Sequence, residues 1–84
     1  MDDRHLRVSL RFDPDLSDKV KESNYPYVED MKEHPDGLDV VLRVRQPDEL
    51  LPWVLGWGAG VTVLEPESFR NRIQEEVQRI LKRY

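Results

Sequence analysis

Two segments alternate strictly between apolar and polar residues, and this pattern most constrains the fold. Leu6-Arg7-Val8-Ser9-Leu10-Arg11-Phe12 places Leu6, Val8, Leu10 and Phe12 on one side. Leu38 to Arg45 does the same with Leu38, Val40, Leu42 and Val44. Successive side chains of a strand point to opposite faces, so each segment reads as a half-buried strand with one apolar side. The other sides carry Arg7, Ser9 and Arg11 on the first strand, and Asp39, Val41, Arg43 and Arg45 on the second.

The remaining segments supply a cover for the apolar side. Asp13-Pro14 reads as an N-cap followed by proline at the first helical position. The helix that follows should run to about Glu22 and bury Leu16 and Val20. "SNYP" breaks it, because Pro26 disfavours helix at Tyr25. Tyr27 to Glu33 predicts a weaker, more charged strand of the kind found at sheet edges. "HPDG" is a turn in which Pro35 fixes φ and Gly37 can take positive φ. Pro47-Asp48-Glu49 opens a second helix with acids near its positive end. Leu50, Leu51, Trp53, Val54, Leu55 and Trp57 make it apolar on most sides, and Pro52 falls early enough to add no more than a slight kink. Gly58 to Gly60 end it, and Val61 to Leu64 form a short strand. Glu65-Pro66-Glu67 begins a last helix, with Phe69, Ile73, Val77, Ile80, Leu81 and Tyr84 in a stripe at helical spacing.

This order predicts an α+β fold: a ferredoxin-like β-α-β-β-α-β sandwich with an additional C-terminal helix. Two right-handed crossovers joined by a hairpin give the strand order 4-1-3-2, with both helices on one face. Eighty-four residues suffice for one small domain. There is no cysteine, which excludes disulfides, thiolate metal sites and cysteine nucleophiles. No apolar run reaches the roughly 18 residues of a membrane helix, and the N-terminus carries Asp2 and Asp3 in place of a signal core. A cytoplasmic protein is expected.

The net charge of −4 argues against a general nucleic-acid binder, but its distribution is uneven. In the expected topology the first and third strands are central neighbours, so Arg7, Arg11, Arg43 and Arg45 converge on the face without helices. Guanidinium groups bind phosphate bidentately and stack on bases, so that face could hold a short single strand or a nucleotide. It could equally dock another domain. It could also be solvated, with Glu29 or Asp30 neutralising Arg43, since exposed arginine pairs contribute little. Trp53 and Trp57, four apart, read as core or interface anchors, and an exposed apolar stripe there would favour self-association. Tyr27, with Tyr25, could extend the binding surface or pack the edge strand. Arg70 lies in the first turn of the last helix, where a cation opposes the helix dipole. An anion or carboxylate partner would explain it, and Glu67 three residues earlier is the local candidate.

Catalytic readings find little support. His5 and His34 are far apart, with no nucleophile-and-acid arrangement beside either. Asp13, Asp15 and Asp18 suit helix capping better than a metal site. There is no glycine-rich phosphate loop and no zinc spacing. No enzyme activity and no cofactor are expected.

Leu50-Leu51, Trp53-Val54-Leu55, Gly58, Val61, Val63-Leu64-Glu65-Pro66, Phe69-Arg70 and a closing Tyr84 stand in a characteristic order. "LRVSLRFDPDLSDKV" and the "PDG" turn precede them. This sequence resembles the C-terminal extension (WCX) domain of WYL-type bacterial transcriptional regulators, over nearly the whole chain. The resemblance implies the same ferredoxin-like fold. It also implies that residues 1–84 are one domain of a longer regulator carrying a winged helix-turn-helix and a WYL domain. In that family the WYL domain and its extension sense a ligand, in some members single-stranded DNA or another nucleic acid or nucleotide, and the extension helps form a homodimer. Arg70 matches the arginine that commonly follows "Leu-Glu-Pro" there. The expectation is therefore effector sensing through Arg7, Arg11, Arg43, Arg45 and Arg70, with Trp53, Trp57 and Tyr27 at an interface. The alternative is a purely structural dimerisation or interdomain module.

Overall fold

The computed structural model describes residues 5–84, so Asp2 and Asp3 lie outside the described residues. Strand β1 (Leu6–Phe12) leads through a 3-10 turn into helix α1 (Ser17–Glu22). A hairpin follows, formed by β2 (Val28–His34) and β3 (Gly37–Val44). A second 3-10 turn (Pro47–Glu49) precedes α2 (Leu51–Leu55), a third (Gly58–Gly60) precedes β4 (Val61–Glu65), and α3 (Glu67–Leu81) ends the chain. This is an α+β domain built on one four-stranded sheet in the order β2-β3-β1-β4. All three neighbouring pairs are antiparallel. Read from its other edge, the order is β4-β1-β3-β2.

The two alternating strands lie side by side at the centre, as the pattern requires. Their register sets Val8 opposite Leu42, Leu10 opposite Val40 and Phe12 opposite Leu38. These residues and Val44 are buried to within 1% of full burial. Val20 of α1, Leu50, Val54 of α2, Val63 of β4 and Phe69 of α3 complete the same core. All charged and polar side chains among the described residues stay out of it. The helices thus cover one face, and the arginine-bearing sides of β1 and β3 lie on the other.

Two β-bulges adjust the sheet. One falls between Val28 and Asp30 in β2, and the other follows Ser9 in the pairing of β1 with β4. Beyond the β2 bulge, Asp30 and Lys32 sit opposite Val41 and Asp39 on the uncovered face. Glu33 falls on the helix side, where it pairs with Lys21 of α1.

Several local expectations change. Asp13 makes no side-chain cap; its backbone N–H donates to the Gly60 carbonyl at 2.9 Å, tying the end of β1 to the turn before β4. The second helix is not continuous from Pro47. It splits at Leu50, because in an unbroken α-helix Pro52 could not donate to the Asp48 carbonyl and its ring would strike it. The chain tightens into a 3-10 turn there and resumes as a short α2. That turn is closed by Glu49, whose Oε1 accepts the N–H groups of Arg45 and Gln46 at 3.0 Å each. The stripe on α3 is buried only at its start. Phe69 is fully enclosed and Ile73 half-buried, but Val77 and Ile80 are 41% and 43% exposed.

At the hairpin, Gly37 has φ of +148°, and a Cβ there would lie 1.9 Å from the Phe12 carbonyl oxygen. Any side chain must displace backbone at the end of the central strand. Gly37→Ala should therefore destabilise the domain by about 1–3 kcal/mol, measured by chemical denaturation.

Candidate functional site

The uncovered face is organised by register, and each row of side chains crosses several strands. Arg7 of β1 and Arg43 of β3 are direct cross-strand partners. Like charges placed opposite each other repel, so this pair needs anions nearby. Both find one by turning outward. Arg43 Nε reaches Glu29 Oε2 of β2 at 2.5 Å, and Arg7 Nη1 lies 3.6 Å from Glu65 Oε1 of β4. The row therefore reads acid, arginine, arginine, acid across all four strands.

The next row is anchored by Arg11 and Asp39, also direct partners. Arg11 Nε donates to Asp39 Oδ1 at 2.7 Å and Nη2 to Oδ2 at 3.0 Å, a bidentate fork. Lys32 and Thr62 flank the pair on β2 and β4. Both side chains of the fork are only 27% exposed, against 51% for Arg7, so this is the firmest ion pair of the face. The hydrogen bond to Asp39 raises the Arg11 guanidinium. The same bond holds the Asp39 carboxyl below its usual range, against partial desolvation and with help from the charges of Arg11, His34 and Lys32.

The other expected residues are placed elsewhere. Arg45 lies just past β3, at the mouth of the Glu49 turn. Arg70, in the first turn of α3, stands in neither arginine row. Its Nε and Nη2 donate to the Val63 carbonyl and Nη2 also to that of Leu64, with distances of 3.1–3.4 Å, so Glu67 is not its partner. Trp53 and Trp57 pack edge-to-face on Phe12 at centroid distances of 5.8 and 5.4 Å. Tyr25 stacks flat on Trp53 at 4.2 Å, and Tyr27 meets Tyr25 edge-on at 5.4 Å. Burial pushes the Tyr25 phenol up, and its hydroxyl donates to the Glu49 carbonyl at 3.3 Å. The tryptophans thus extend the core toward β2, and neither stands fully exposed.

Sequence reasoning anticipated Glu29 beside Arg43 but missed Asp39 and Glu65 as the partners of Arg11 and Arg7. Asp39 stood on the correct side of its strand, but its partnership with Arg11 depends on the pairing register. Glu65 reaches Arg7 only because β4 carries a bulge. Among the described residues no group of acids and histidines is arranged to hold a metal ion.

Because Asp39 is depressed in the folded state, the stability it confers is present above the ordinary aspartate value of about 3.9 and is lost as pH falls through the lower folded value. The stability difference between the wild type and Asp39→Asn should therefore be largest near neutrality and shrink below about pH 4, measured by denaturant titration at each pH.

No curated protein and no solved structure matches the chain. A family model described as the WCX domain matches residues 4–81. That span takes in all four strands, all three helices and both arginine rows, and the chain belongs to the WCX domain family.

Proposed function

We propose that this domain serves as the C-terminal extension of a WYL-type transcriptional regulator and works by assembly. Its uncovered sheet face packs against protein, either the neighbouring WYL domain or a second copy, and it has no catalytic role. The observation that carries this reading is the acid–arginine–arginine–acid row formed by Glu29, Arg43, Arg7 and Glu65. A face whose arginines already hold carboxylates offers little net attraction to a polyphosphate. It does offer alternating charges that a complementary protein surface can match, giving specificity and register. The architecture is read as ferredoxin-like on the order β4-β1-β3-β2, with helical crossovers between β1 and β2 and between β3 and β4. A bacterial cytoplasmic setting fits a regulator, and no described helix is long and apolar enough to cross a membrane.

A second reading is effector sensing, with a nucleotide or single-stranded nucleic acid bound by Arg7, Arg11, Arg43 and Arg45. One observation favours it: Arg7 and Arg43 face each other directly, and the Arg7–Glu65 contact is long and exposed. Such a pair is easily exchanged for phosphate, because surface ion pairs are weak.

Fluorescence anisotropy with a short labelled single-stranded DNA separates the two. The assembly reading predicts no saturable binding at physiological salt. It also predicts that Glu29→Gln with Glu65→Gln, which frees both arginines, creates salt-sensitive binding. Saturable binding by the unmodified domain, abolished by Arg43→Glu with Arg45→Glu, would instead establish the sensing reading.

A further inference from the structure

Between α2, β4 and α3 lies an open groove of about 500 Å³ that none of the sheet-face arginines lines. Its walls are apolar: Val54 and Leu55 of α2, Val61 of β4, and Ile73, Val77 and Ile80 of α3. Arg70 and Gln74 are the long polar side chains that border it. A concave apolar site of this size with few polar groups has the anatomy of a small-molecule site.

Arg70 gives the groove its chemistry. Arg7, Arg11, Arg43, Arg72 and Arg79 each hold a carboxylate, whereas Arg70 holds none among the described residues. Its guanidinium is instead fixed by the backbone carbonyls of Val63 and Leu64, which engage Nε and Nη2. A guanidinium carries five N–H donors, so both N–H groups of Nη1 remain for another acceptor. Early in α3, a cation opposes the helix dipole, and an anion beside it would remove that conflict. An oriented cation on the border of an apolar trough complements a ligand with one charged end and an apolar body. We infer that the groove between α2, β4 and α3 binds a small monocarboxylic acid with an apolar chain, its carboxylate on Arg70 and its chain along Ile73, Val77 and Ile80. The inference does not depend on what the sheet face does.

The probes are decanoate and decan-1-ol, titrated into the 84-residue chain by calorimetry below the micellar concentration of the acid. One saturable site is expected, with the acid bound about tenfold more tightly than the alcohol, as a charge-assisted hydrogen bond provides. Arg70→Gln should erase that preference while retaining alcohol binding. Because Arg70 also anchors β4, Val77→Glu provides an independent check: it alters an exposed wall residue and should abolish binding of both probes with an unchanged far-ultraviolet circular dichroism spectrum. Equal affinity for acid and alcohol, or no binding of either, would overturn the inference. So would sedimentation that finds a dimer dispersed by Val77→Glu and a groove closed to decanoate, because a second copy would then be the occupant.

Discussion

The register of β1 against β3 is the constraint on which the rest of this domain depends. Side chains alternate along a strand, so a slip of one residue would turn Leu6, Val8, Leu10 and Phe12 to solvent and drive Arg7 and Arg11 into the core. Burial of the apolar set fixes the register strongly, because helix-borne residues such as Val20, Val54 and Phe69 close over it. Once it is fixed, the charged face has no further freedom at its centre. Arg11 must meet Asp39, and Arg7 must meet Arg43. The first meeting is favourable and the second is not, and the surrounding strands resolve the second.

That resolution explains how a sheet face rich in arginine belongs to an acidic chain. The two edge strands supply Glu29 and Glu65 to the outer ends of the Arg43–Arg7 pair, and the centre supplies Asp39 to Arg11. The more exposed Arg43–Glu29 and Arg7–Glu65 pairs contribute little to folding on their own. Their collective effect is on recognition, because they replace a field of one sign with a pattern of both. Long-range attraction for nucleic acid falls, while the demand for a partner of matching pattern rises. The helix side differs in kind. There the apolar surface of α3 fades gradually into solvent, and Arg70 is held by backbone instead of by an acid.

The central strands were legible in the sequence because alternation is a local signal that tertiary packing reinforces. Val20, Leu50, Val54 and Phe69 were legible as covering residues for the same reason. The ends of elements were less so. Pro52 breaks the second helix more than its early position suggested, since the missing N–H falls where a continuous helix from Pro47 needs it. The apolar stripe of α3 correctly marked a helix, but periodicity does not tell how far a covering layer extends. The candidate site was half legible. The side of the sheet on which Arg7, Arg11 and Arg43 stand follows from alternation, and Glu29 was foreseeable beside Arg43. Yet the Arg11–Asp39 pair depends on the β1–β3 register and the Arg7–Glu65 pair on a bulge in β4, which no local pattern reveals. The Arg70 anchor was hidden too, because it is made to backbone carbonyls, which carry no sequence signature.

The most direct test of this account is to follow the arginine Nε–H signals by nuclear magnetic resonance as a short single-stranded DNA is added. If the face is internally paired, the Nε–H protons of Arg11 and Arg43 are slow to exchange in the free protein and stay unshifted on addition at physiological salt. Rapid exchange in the free protein, or saturable shifts of these two signals on adding DNA, would contradict it.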